Sequence, residues 1–307
     1  MAIRPADHGI FASAAGAAAG AGYFGGGQVG ASNVATVDKF DFSDDSRTTL
    51  GTGLSAVRQG LAGMANSGTA GYYGGGYESG YVDTVDKFAF SDDSRTTLGT
   101  GLASAVNDLG GMANSGTAGY FGGGHYPNVD TVNKFAFPGD SRTTLSTGLS
   151  AARWGLAGMA NSGTAGYFGG GNETARVDVV NKFAFPSDSQ STLGTGLSSA
   201  RKALGGMANS GTAGYFGGGD DGVAVATVDK FAFSDDSRTT LGTGLSGGRD
   251  FLAGMANSGV AGYFGGGTSL TTVDKFAFSD DSRTTLGTGL SSARGRLGGM
   301  ANCAALA

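Results

Sequence analysis

The string Gly-Tyr-Phe-Gly-Gly-Gly, once with Tyr in place of its Phe, returns six times along the chain, with its first Tyr at Tyr23, Tyr72, Tyr120, Tyr167, Tyr215 and Tyr263. The spacings of 47 to 49 residues hold through to the end. A period of that length means small supersecondary units that cannot bury an apolar face alone and must pack on their neighbours. Each unit runs GYFGGG, a variable stretch, VDTVDKFAF, SDDSRTTLGTGLS, a second variable stretch and LAGMANSGTA. Of the 19 Phe, 17 fall on repeating positions, and six of the seven Met recur at Met64, Met112, Met159, Met207, Met255 and Met300. The apolar residues are therefore scaffold, repeated with the unit.

Composition decides what each unit is made of. With 61 Gly in 307 residues long helices are excluded, since Gly costs a helix roughly 1 kcal/mol relative to Ala. Collagen is excluded by the 4 Pro and the missing Gly-x-y period, and 10% aromatics give the chain enough to bury that it folds. Four short strands fit each unit, bounded by turn chemistry: a, Leu61 to Asn66; b, Thr69 to Gly74; c, Thr84 to Phe90; d, Thr96 to Leu102. In strand c, Asp86, Phe88 and Phe90 alternate with Val85, Lys87 and Ala89, so the Phe side faces a core. Four strands every ~48 residues, six times, is the pattern of a propeller; a long β-solenoid is the alternative.

An apolar strand ending in Gly-Gly, an aromatic in V-D-K-F, an acidic turn and S-x-A-R leading into the next unit together resemble the kelch repeat, from Tyr23 to Asn302. The resemblance implies an all-β fold, a kelch-like six-bladed β-propeller of four-stranded antiparallel blades, related in architecture to galactose oxidase. The chain departs from that pattern where kelch units carry Trp on the fourth strand, having Leu50, Leu98, Leu145, Leu193, Leu241 and Leu286 there. Residues 21–307 are expected to form the single propeller, with units starting near 23, 72, 120, 167, 215 and 263. Strand a can be counted a seventh time in Phe11 to Gly16, but Leu297-Gly-Gly-Met-Ala-Asn302 fits the repeat better, so residues 297–302 are expected to close the ring. Residues 1–20 then form a small-residue arm free to dock on partner subunits.

Antiparallel strands place the a–b and c–d turns on one face and the b–c and d–a loops on the other. The first pair hardly varies between units; the second differs in every one. That assigns the candidate ligand-binding residues to the variable face: Tyr77, Tyr81, His125 and Tyr126 in b–c loops, and Arg58, Arg153, Trp154, Arg201, Arg249, Phe251 and Arg294 in d–a loops. Aromatic and Arg side chains on loops are common anchors of binding surfaces, while harmless drift of duplicated units explains the same variation equally well.

Chemistry beyond binding finds little support. Only His8 and His125 exist, which excludes a multi-histidine metal site, and Cys303 is the lone Cys. Gly51-Thr-Gly53-Leu-Ser-Ala56 matches a dinucleotide fingerprint but recurs with small changes in every unit, with no helix after it. Asp44-Asp45 and its copies supply too few oxygens for calcium and read as a solvated acidic turn. A net charge of −5 argues against nucleic acid, and no run of 18 apolar residues argues for a spanning helix. The expectation is thus a non-enzymatic module without cofactor or metal, binding a glycan or protein. The start of the chain is a poor signal peptide, so we expect a surface-exposed subunit of an extracellular particle or virion (tail fibre, adhesin, decoration protein). The alternatives are a soluble lectin or protein-interaction propeller in the cytoplasm and, third, a glycan-processing enzyme.

Overall fold

A computed structural model describes residues 20–303. Its strands gather into six four-stranded antiparallel sheets, which are the blades of a β-propeller. Blade 2 shows the pattern: strand a, Ala62–Asn66; b, Ala70–Gly74; c, Val85–Ala89; d, Arg95–Thr97. Strand b is buried along its whole length, and strand c buries Asp86 and Phe88 while leaving Lys87 half-exposed. Strand d is shorter than the sequence led us to expect. Leu98 donates its N–H to Val85, after which the chain leaves the sheet at Gly99-Thr-Gly101, where a side chain at Gly101 would collide with the Asp83 carbonyl.

Blade 1 is assembled from both ends of the described chain. Its strand a is Gly298–Asn302, which pairs antiparallel with Ala21–Gly25, Ala21 opposite Asn302 and Gly25 opposite Gly298. Val37–Asp41 and Arg47–Thr49 complete the sheet. Residues 1–19, which hold most of the proposed arm and His8, lie outside the described residues.

Three circular networks tie the inner strands together. At the middle level, Gly63, Gly111, Gly158, Gly206, Gly254 and Gly299 each lie against the carbonyl oxygen of the glycine in the preceding blade. This is a closed ring of Cα–H···O contacts, and a Cβ on any member would strike backbone. On the constant face, Asn66 Oδ1 accepts the Gly116 N–H of the next blade and the Ser67 N–H is donated to Ser115 Oγ, a pattern that repeats from blade to blade. Cys303 occupies the sixth serine's position, its thiol donating to the Ala256 carbonyl, and burial pushes its pKa up. On the variable face, backbone N–H groups of Gly60, Asp108, Gly155, Ala203, Phe251 and Arg296 each donate to the carbonyl of the preceding member, closing a six-membered ring at 2.6–2.8 Å.

Further out, the blades are clamped by one aspartate of each c–d turn, the second of the pair in four blades and the lone Asp140 and Asp188 in blades 3 and 4. Asp93 accepts the Tyr23 hydroxyl at 2.8 Å and the Lys39 ammonium at 2.7 Å from the neighbouring blade. The clamp repeats at Asp140, Asp188, Asp236 and Asp281, and at Asp45, which holds Tyr263 and Lys275 and so joins blade 6 to blade 1. The solvated-turn reading of the paired acids is corrected for these residues. Only the first of each pair is solvated, as in Asp44, which accepts the Ser46 N–H and has its pKa lowered by Ser46, through its hydroxyl first and then its N–H.

Candidate binding face

The variable loops stand on a main-chain frame. Isolated antiparallel bridges join five of the six d–a loops to the b–c loop beside them: Gln59 to Tyr77, Asn107 to His125, Trp154 to Asn172, Lys202 to Asp220, and Gln28 to Gly295. Bridges and axial ring use backbone atoms alone, so the side chains at these positions are not specified by folding. The axial ring goes further. All six of its residues adopt positive φ, between 51° and 68°, yet Asp108, Ala203, Phe251 and Arg296 are not glycine. A side chain in this conformation costs of order 1 kcal/mol or more. Glycine at positions 60 and 155 shows that the ring does not need those side chains to form.

On this frame the rings make one continuous row from blade 2 to blade 4, alternately tilted and stacked, which Lys202 of blade 5 extends. Tyr77 meets Tyr81 at 5.2 Å between centroids, and Tyr81 stacks on Tyr126 at 4.9 Å. Tyr126 leans on His125 at 3.8 Å, and His125 stacks on Trp154 at 4.6 Å. Lys202 lies over the Trp154 ring with its ammonium 4.3 Å from the centroid. Tyr126 is the exposed crest, at 57% of its surface, while the others are half-buried. Since most ring faces are spent on one another, the row presents edges, phenol hydroxyls among them. Burial, then Arg296 and Lys202, lower the His125 pKa.

Nearer the axis, Arg296 lies over Phe251 at 3.7 Å and forms a two-pronged ion pair with Asp108 at 3.0 and 2.9 Å. Burial raises the Asp108 pKa, and Arg296 opposes the rise. Below this pair a cavity of about 60 Å³, lined by Leu61, Leu109, Leu204, Leu252 and Leu297 among others, is large enough only for water.

The structure corrects the assignment of Arg58, Arg153, Arg201, Arg249 and Arg294 to an exposed ligand surface. All five are at most 2% exposed. Each turns inward from its loop, donates to a strand b carbonyl and reaches a polar side chain on strand c of the next blade. Four of those partners are buried aspartates, at 2.8–2.9 Å: Arg58 with Asp86, Arg201 with Asp229, Arg249 with Asp274 and Arg294 with Asp38. Arg153 instead meets Asn181. The sequence signal for this lay in strand c, whose alternation put Asp86 on the same side as Phe88; a carboxylate buried there demands a buried cation. Conversely, Tyr77, Tyr81, His125, Tyr126 and Trp154 are brought together, Phe251 sits apart under Arg296, and the structure adds Lys202, Asp108 and Arg296.

Fold and loops together define a six-bladed β-propeller carrying one constant face and one variable face. No protein-family model and no curated protein matches the chain. Among the described residues no helix is long and apolar enough to cross a membrane, and no three metal-ligating side chains cluster.

Proposed function

We propose that this propeller is a non-enzymatic binding module whose ligand seat is the sector of the variable face between blades 2 and 5. One observation carries the reading: the side chains that differ between units converge on a rigid main-chain frame, several of them in a strained backbone conformation that folding does not demand. Neutral drift favours relief of such strain, whereas display of side chains sustains it.

A glycan or protein is the expected ligand. The module's place is proposed to be the surface of a larger extracellular particle, a virion tail fibre, adhesin or decoration protein among them, with the N-terminal segment making the subunit contact. The resemblance to kelch repeats and the low charge of the chain support an interaction role of this kind. Replacing Tyr126 or Trp154 with Ala tests the seat: ligand capture should fall while the melting temperature moves little for the exposed Tyr126. Capture that survives both changes refutes the assignment. Sedimentation of the native protein tests the particle; migration as a ~30 kDa monomer, the mass of the chain, overturns that part and favours a free lectin.

A further inference from the structure

Blade 4 breaks the charge rule that the other blades keep. Where an arginine is buried between blades it meets a buried aspartate, and in blade 3 both partners are neutral, Val106 standing at the arginine's position and Asn133 at the aspartate's. Arg153 alone keeps the cation and faces an amide, Asn181 Oδ1, at 2.8 Å. Its other contacts, the Ser150 hydroxyl at 3.4 Å and the Phe168 carbonyl at 3.5 Å, are also neutral. A fully buried guanidinium without a carboxylate is costly. The nearest carboxylate is Glu173 Oε1, 3.9 Å away, on the b–c loop of the same blade and partly open to solvent. That carboxylate is too distant for a good hydrogen bond. Its loop is tied to that of Arg153 by the backbone bridge between Trp154 and Asn172, the residues that follow Arg153 and precede Glu173.

We infer that Arg153 is an anion-recognition site for a hydroxylated carboxylate of the acidic-sugar kind, with Glu173 as the resident counter-ion that the ligand displaces. The inference rests on the loop-face reading above and names the chemistry of that seat. A ligand carboxylate entering where Glu173 now stands can approach Arg153 closely and supply the charge that Asn181 does not. On the variable loops Arg176 and Lys202 share a single partner, Asp220, at 2.9 and 4.0 Å, so these loops do not oppose an anion with net negative charge. The displaced Glu173 remains beside the ligand and can only accept hydrogen bonds. Hydroxyl groups next to the ligand carboxylate satisfy it; a bare carboxylate, or the acidic side chain of a peptide, does not.

The chain holds a single Trp, adjacent to Arg153 in sequence, so its indole N–H resonance reports on this site without ambiguity. We expect glucuronate to shift that resonance saturably in the intact protein, glucose to leave it unmoved, and acetate to bind about tenfold more weakly than glucuronate, a factor of ten being the usual unit of such discrimination. Asn181→Asp restores the pairing of the other blades, should fold at least as well as the parent, and should weaken glucuronate binding about tenfold or more. Glu173→Gln removes the competitor and should tighten it. Absence of a saturable shift, equal binding by Asn181→Asp, or looser binding by Glu173→Gln overturns the inference; acetate binding as tightly as glucuronate overturns its hydroxyl half. Capture of a ligand that Tyr126→Ala impairs and Asn181→Asp leaves intact sinks this site alone and leaves the loop-face reading standing.

Discussion

Alkaline pH should unfold this protein steeply, because six tyrosyl protons at the blade clamps, and a seventh on the fully buried Tyr73, are retained only by the folded chain. Tyr23, Tyr72, Tyr120, Tyr167, Tyr215 and Tyr263 are about 1% exposed and each donates its hydroxyl to a clamp aspartate at 2.7–2.8 Å. Burial first, then the bond to the carboxylate, holds their pKa values far above the ordinary tyrosine value. A group whose folded pKa is raised contributes stability that is complete below its unfolded value, about 10, and lost as pH climbs toward the folded one. At about pH 11 the unfolded chain gains about 1.4 kcal/mol from each tyrosine that ionises, or about 8 kcal/mol from six. Total stabilities are typically about 5–15 kcal/mol, so this is most of what a domain has. The five buried arginines work the other way, because burial lowers the pKa of Arg58, Arg153, Arg201, Arg249 and Arg294; for Arg153, lowered to about 10, loss of its proton returns about 1.4 kcal/mol at about pH 11. The assay is a pH titration followed by tyrosinate absorbance and far-ultraviolet circular dichroism, with Tyr77, Tyr81 and Tyr126 changed to Phe so that only the six clamp tyrosines and the buried Tyr73 report. Absorbance and strand signal should change together in one cooperative step above pH ~10. Tyrosinate appearing gradually near that pH while the strand signal persists would show that the clamps do not hold the protons.

Three further outcomes follow from the packing. Gly206→Ala drives a Cβ into the Gly158 carbonyl of the axial glycine ring and should cost more than about 3 kcal/mol by urea unfolding, whereas Gly194→Ala, with no atom within 4 Å of its added carbon, should stay within about 0.5 kcal/mol. Arg201→Ala leaves Asp229 buried without its cation and should cost about 3–5 kcal/mol while leaving loop-face binding unchanged, measured by thermal melting beside ligand capture. Deleting residues 297–307 should abolish cooperative unfolding in calorimetry; a truncated chain that melts like the intact one refutes the ring closure.

The blades were legible in the sequence because period, turn residues and alternation all agree within each unit. Leu61 to Asn66 and Thr69 to Gly74 lie within a residue of the strands found at Ala62–Asn66 and Ala70–Gly74. The end of strand d was not legible, since Leu98-Gly-Thr-Gly-Leu102 keeps a strand-like rhythm and only the crowding of Gly101 against Asp83 turns it away. The site was legible in part. Which loops vary is a property of the sequence, and the gathering of Tyr77, Tyr81, His125, Tyr126 and Trp154 follows from their adjacent loops. The arginines were misplaced because a loop position says nothing about where a long side chain points, and the guanidinium of Arg58 runs back beneath its own loop to Asp86. The positive φ values of Asp108, Phe251 and Arg296 carried no signal in residue type at all.

The pairing of Ala21–Gly25 with Gly298–Asn302 has a consequence in time. About 280 residues separate the two strands, and at ribosomal rates of ~5–20 residues per second the first waits roughly 15–55 s for the second. Throughout that interval the nascent chain carries an apolar strand with one edge unmet, beside later copies of almost the same partner sequence, Ala62–Asn66 first among them. Correct closure therefore depends on each earlier copy being consumed by its own blade before it can be captured by the waiting edge. Synthesis slowed within the first two units lengthens the wait for the clasp, and crowding of nascent chains on one message offers the strand of a neighbour in its place.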